Sequence, residues 1–88
     1  MNDKRLKSIV QGLVKEIVDY PAYVNIEVNR PNEALCELVV YTHSDDLKMV
    51  IGKGGKNVQA IRTLIYAMAA KSKVRCYVTV EENLSDLD

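Results

Sequence analysis

"VIGKGGKNVQAIR", residues 50–62, sets three glycines and two lysines between two apolar flanks, Val50-Ile51 and Val58 with Ile61. A helix that ends at Gly52 and another that begins near Gly55 leave a tight turn between them. The amides of that turn, with the free amides opening the new helix, are expected to point to solvent, an arrangement that binds anions. Glycine admits the close approach of a sugar-phosphate chain and the positive φ values such a turn uses. Lys53 and Lys56 add charge where a phosphate would sit. The same spacing also suits a plain helix–helix connection, so the surroundings of the turn have to decide.

C-terminal to the turn, the pattern predicts a helix from about Lys56 to Lys71 with Val58, Ile61, Leu64, Ile65 and Met68 as its core stripe. Ala60, Tyr66, Ala67, Ala69 and Ala70 make that helix apolar over more than one face. Small residues let another backbone approach, and alanine is also simply a good helix former. Ala60, Ala67 and Ala70 are therefore candidates for a dimer contact. Cys76, Val78 and Val80 alternate with Tyr77 and Thr79 as a strand, and an acidic, flexible tail is expected over residues 82–88.

N-terminal to the turn, Ser44 is placed to cap a short helix, with Asp45 and Asp46 favourable at its positive end. Before it, Val24, Ile26 and Val28, then Cys36, Leu38 and Val40, alternate with outward residues on either side of a turn at Arg30-Pro31-Asn32-Glu33. These two strands predict an antiparallel hairpin. Leu6, Ile9, Val10, Leu13, Val14, Ile17 and Val18 line one face of an opening helix, capped by Asn2 or Asp3 and stopped by Pro21.

The order is α-β-β-α-α-β, an α+β domain over residues 1–81. Two helices between the second and third strands return the chain parallel to the strand it left. The expected sheet is three-stranded and mixed, in the order first, second, third, with three helices on one face. At 88 residues the chain is one domain whose core holds no Trp or Phe.

Twelve basic and twelve acidic residues sum to zero. Yet Lys48, Lys53, Lys56, Arg62, Lys71, Lys73 and Arg75 fall in a segment with no acid between Asp46 and Glu81, so the field is uneven. Cys36 and Cys76 lack the clustering of metal or redox sites and read as buried thiols. No cofactor or metal is expected. No apolar run is long enough for a membrane span and no signal peptide is visible, so a cytoplasmic location is expected.

The phosphate-binding GxxxxGK[ST] pattern and the dinucleotide GxGxxG pattern both fail here, the first on spacing and hydroxyl, the second on context. The stretch "VIGKGGKNVQAIR" resembles instead the signature of KH domains, whose GxxG loop clamps about four nucleotides by the backbone. Gly52-Lys53-Gly54-Gly55 supplies that loop. The element order is similar to type II KH domains, and nearly the whole chain resembles the small single-domain bacterial KhpA-type proteins. The resemblance implies binding of single-stranded RNA without catalysis, and association with itself or with a larger KH-containing RNA-binding protein. It implies that Gly52, Lys53, Gly54 and Gly55 hold the RNA backbone, that Ile51 and Val58 floor the bases, and that Lys56, Asn57 and Arg62 add polar or basic contacts. Val58 stands where isoleucine is common.

Other groupings read more plainly. His43-Ser44-Asp45-Asp46 gathers catalytic residue types, but adjacent side chains do not converge on one reacting atom, and Asp45 and Asp46 read as helix-end partners. Tyr41 and Tyr77, joined by Tyr23, are expected to cover the sheet face away from the helices.

Overall fold

The computed structural model describes residues 2–85. Helix α1 spans Asp3–Ile17, and of its two candidate caps Asn2 is the one used, its Oδ1 accepting the Arg5 amide at 3.0 Å. Its buried stripe is narrower than the apolar periodicity: Leu6, Val10 and Val14 are buried, whereas Ile9 and Leu13 stay exposed. Pro21 opens a short 3-10 turn, Pro21–Tyr23, after the helix has stopped.

Strands β1, Asn25–Asn32, and β2, Leu35–Thr42, pair antiparallel. The turn lies later than expected, at Glu33 and Ala34, because β1 continues through an irregularity in register between Asn29 and Asn32. Arg30 holds this distortion. Its guanidinium donates to the carbonyls of Glu33 at 2.8 Å and Leu35 at 3.1 Å, and meets Asp3 of α1 at 2.8 Å.

Helix α2, Leu47–Ile51, and helix α3, Lys56–Lys71, form the crossover to β3, Arg75–Glu82, which pairs parallel with β2. The sheet order is β1-β2-β3, as the element order predicts. All three helices lie on one face, where Ile26, Cys36, Leu38, Val40, Cys76 and Val78 join Leu6, Val10, Val14, Val50, Ile61, Ile65 and Ala69 in a single core. Cys36 and Cys76 are register partners within it, both free and both buried. Burial, reinforced by a hydrogen bond with Cys36, pushes the Cys76 thiol up to about 12. A thiol held protonated is a poor nucleophile and a poor metal ligand.

Several expectations need correction. Leu64, assigned to the core stripe, is 59% exposed, while Met68 is only partly buried. Val58, Ile61, Ile65 and Ala69 are the buried residues of α3, and Leu64 projects past the edge of that stripe. Ser44 caps nothing; His43 Nδ1 accepts the Asp45 amide at 3.0 Å in a 3-10 turn over Ser44–Asp46. Asp46 is no solvated helix-end partner either. It is fully buried and its two carboxylate oxygens accept the amides of Asp19 at 3.1 Å and Tyr20 at 3.0 Å.

Tyr41 and Tyr77 lie on the open sheet face, but Tyr23 does not join them. It packs edge-on to His43, on whose ring Tyr20 stacks at 4.1 Å between centroids. Tyr41 donates its hydroxyl to Glu27 at 3.0 Å, and that bond, with burial and the neighbouring acids, raises its pKa. Strand β3 runs through Glu82, and Asn83 is tied by its amide to the Thr42 carbonyl and by Nδ2 to the Tyr23 carbonyl. The last three residues of the expected tail, 86–88, lie outside the described residues.

Asp46 is the clasp between the end of α1 and the start of α2. Asp46→Ala leaves two amides without acceptors, so stability is expected to fall by about 2–4 kcal/mol, seen as a lower urea midpoint with unchanged m-value.

Candidate nucleic-acid interface

The connection between α2 and α3 is built around positive φ. Gly52 sits at φ 82°, Gly54 at 64° and Gly55 at 78°. A Cβ on Gly52 would also lie 2.7 Å from the Asn57 nitrogen, so this position excludes every other residue on two counts. Asn57 locks the arrangement from the other side, its Nδ2 donating to the Met49 carbonyl at 2.7 Å and so satisfying the C-terminal end of α2.

Fewer amides face outward than the sequence predicts. A 3-10 turn over Lys53–Gly55 consumes the Gly55 amide on the Gly52 carbonyl at 3.0 Å and the Lys56 amide on the Lys53 carbonyl. Lys53 and Gly54 keep their amides free of protein acceptors among the described residues. Two adjacent donors at the tip of a turn, beside the side chains of Lys53 and Lys56, have the chemistry to meet an anion.

This tip overhangs the free edge of β3. The amides of Arg75 and Asn83 point to β2, bonding Ala34 and Thr42, so by strand alternation Cys76, Val78 and Val80 turn their main-chain groups away from β2. Arg62 reaches this edge from α3, its Nε and Nη2 donating to the Val78 carbonyl at 3.1 and 2.9 Å while Nη1 donates to Gln59. Between loop and edge lies a cleft of about 440 Å³ lined by Ile51, Gly55, Val58, Arg62, Thr79 and Val80. Lys53, Gly54, Lys56 and Gln59 widen its mouth.

The nine residues expected in the site thus cluster, though in different roles. Ile51 and Val58 are on the apolar wall, with Val58 buried and Ile51 37% exposed. Lys53 and Lys56 are exposed on the rim, and Asn57 faces inward to the loop's own backbone. Thr79 and Val80 were missed, although the alternation of β3 and its parallel return already placed an unpaired edge beside the loop. Ala60, Ala67 and Ala70 lie exposed on the far side of α3. Leu64 falls in one row with Ala60 and Ala67, at i+4 and i+7 from Ala60, and Ala70 lies nearer Tyr66.

Charge is segregated. Among the described residues the salt bridge between charged groups is that of Arg30 with Asp3, so none of the seven basic residues from Lys48 to Arg75 is neutralised by one. Glu27 and Glu81 stand on the open sheet face around Tyr41, and Glu37 stands on the same face beside Tyr77. No group of three His, Cys, Asp or Glu among the described residues could hold a metal ion, and no helix is long and apolar enough to cross a membrane.

The model of the KhpA/KhpB KH domain matches residues 7–80, from the second turn of α1 to near the end of β3. The chain belongs to the KhpA/KhpB family of KH domains. Among its KhpA relatives, the RNA-binding protein KhpA of Oceanobacillus iheyensis is 36% identical over 78 residues, covering 85% of this chain and 99% of the relative. The protein of the same name from Caldanaerobacter subterraneus is 38% identical over 73 residues, 82% of this chain and 95% of the relative. That of Chlamydia trachomatis is 33% identical over 78 residues, 88% and 97%.

The KhpA-like loop separates two kinds of glycine. Gly52→Ala adds a collision with main chain to the positive-φ penalty, whereas Gly54→Ala meets nothing within 4 Å and bears only the penalty, about 1–2 kcal/mol. Chemical denaturation is expected to show Gly52→Ala less stable than Gly54→Ala by at least ~1 kcal/mol.

Proposed function

We propose that this chain is a non-enzymatic RNA-binding protein that grips short single-stranded RNA by its backbone at Gly52-Lys53-Gly54-Gly55, in the cytoplasm, in post-transcriptional regulation or RNA chaperoning. The observation that carries the reading is the pair of free amides at Lys53 and Gly54, set between Lys53 and Lys56 and above an apolar cleft. Phosphates meet the amides and lysines. Bases lie on Ile51 and Val58, opposite the unpaired main-chain groups of Val80, which supply one donor and one acceptor. Such a contact needs bases that are already unstacked, as in a single strand. Asn57 serves by holding the loop, and Arg62 by fixing a cation on the cleft wall.

Replacing Lys53 and Gly54 together by Asp tests this. Aspartate tolerates the left-handed region better than most residues, and nothing crowds position 54, so the fold is retained. Binding of single-stranded RNA is expected to vanish. In the parent protein, three or four phosphates held in one cleft give log K against log salt a slope of about −2 to −3. Unchanged affinity in the folded double variant would reject the loop as the RNA site.

The exposed row Ala60, Leu64 and Ala67 favours a second element of function, association through α3. Leu64 is the most exposed large apolar residue of that helix, and two alanines beside it let another helix come close. The reading is a homodimer, or a heterodimer with a larger KH-containing RNA-binding protein; in the stronger form, pairing rather than RNA binding is the fold's main task. Two linked clefts gain effective concentration on one strand. Leu64→Arg and Ala67→Arg are expected to yield monomers in sedimentation and to weaken binding of long RNA more than of a tetranucleotide. A parent protein that sediments as a monomer and recovers no KH-containing partner would reject it.

A further inference from the structure

Past Arg62 the β3 edge opens again. Tyr66, Lys73, Val74, Arg75, Cys76 and Tyr77 line a depression of about 580 Å³. Tyr66 follows Arg62 by one helical turn on the same flank of α3. Cys76 is, like Val78, a residue whose main-chain groups face the free edge. The depression is therefore the same edge continued toward the start of β3, with the Arg62–Val78 hydrogen bonds as a partition between it and the loop cleft. From Val58 to Tyr66 the helix advances about 12 Å.

Its composition differs from that of the loop cleft. Tyr66 and Tyr77 are 42% and 50% exposed, and neither hydroxyl bonds a protein group among the described residues. Lys73 and Arg75 are exposed beside them, and no acidic residue lines the depression. Lys73 also holds a φ of 57°, the only positive value outside glycine among the described residues. It stands just past the end of α3, where its amide and that of Val74 bond back to Ala70 and Ala69, in a position that glycine fills without strain. A lysine kept in a strained backbone position, in a depression with two unpartnered aromatic rings, marks a place where its charge is used.

We propose that this depression is a second RNA subsite, in which a strand leaving the loop cleft passes Arg62, stacks a base on Tyr66 or Tyr77, and sets its phosphate against Lys73 and Arg75. This rests on the reading of Gly52 to Gly55 as the RNA loop and extends its reach beyond the nucleotides that loop holds. Stacking on a ring tolerates any base, so the subsite adds affinity and length preference rather than sequence preference. Glu27 and Glu81 lie off this path, around Tyr41, whereas Glu37, the register partner of Tyr77, stands beside that ring on the open face, so the phosphate keeps to the Lys73 and Arg75 side.

Fluorescence anisotropy on the full chain tests it, with labelled oligouridine of about four nucleotides, the reach of one loop, and of about ten. The parent protein is expected to favour the longer strand. Tyr66→Ser combined with Tyr77→Ser should lower affinity for the longer strand about 10-fold and leave the shorter one unchanged. Lys73→Gly removes the strain, so it should keep or raise the Tm while weakening the longer strand alone. A longer strand carrying 4-thiouridine near one terminus should crosslink to the peptide holding Tyr66 or Tyr77. The subsite is rejected if the tyrosine variant binds the longer strand as tightly as the parent, if both lengths weaken equally, or if the variant sediments as a smaller species, which would make the depression a protein contact. If the Lys53 and Gly54 double variant keeps its tetranucleotide binding, the loop reading itself fails, and the extension with it.

Discussion

Two strands that run parallel cannot be joined by a tight turn, and most of this molecule follows from that restriction on β2 and β3. The chain must leave the C-terminal end of β2, cross one face of the sheet and re-enter at the far end. It uses two helices to do so. Because α2 is only one turn and a half long and α3 more than four, the joint between them falls over one end of β3, whose outer side has no neighbouring strand. Loop and unpaired edge are brought together by the path of the backbone, before any side chain is considered. Gly52 and Asn57 then set the sharpness of the joint, the one by lacking a Cβ and the other by filling the space beside it.

The same path sorts the charges. The crossover and the first part of β3 carry seven of the twelve basic residues and no acid, while Glu27, Glu37 and Glu81 project from the sheet face that no helix covers. A net charge of zero therefore describes a molecule with two unlike sides. Exposed cations with no salt-bridge partner keep their full attraction for a polyanion, and the acids opposite repel it, so the approach is oriented even though the total is nil.

Period and punctuation made the fold legible in the sequence. Leu6, Val10 and Val14 announced α1, the alternation around Ile26, Leu38 and Val78 announced the strands, and Pro21 and Gly52 marked the breaks. What was not legible was long-range pairing of polar groups. Nothing local says that Asp46 will be buried 26 and 27 residues away in sequence from the amides it accepts, because its neighbours make it look like an ordinary helix-start acid. His43 displaced Ser44 as a cap for a similar reason: Tyr20 and Tyr23, distant in sequence, hold the ring in place. Leu64 was misjudged because periodicity gives the centre of a buried stripe better than its width, and a three-stranded sheet buries a narrow one. In the candidate site the glycines and lysines were visible from spacing and from family resemblance. The predicted strand order already made β3 an edge, but that Thr79 and Val80 of this edge line the cleft was not visible, since it depends on how α3 packs against the sheet rather than on any residue type.

An unpaired strand edge is also an invitation to neighbouring chains, and proteins that keep one open must guard it against adding a fourth strand. Arg62 does this here. With Nε and Nη2 both on the Val78 carbonyl, it occupies the middle acceptor of the edge, and its bulk stands where an incoming backbone would have to lie flat. A flexible nucleic-acid strand can pass over such an obstacle at one point, whereas a β-strand needs successive residues in register and is stopped by it. One side chain thus sets a steric and hydrogen-bonding obstacle to strand addition at the middle of the edge.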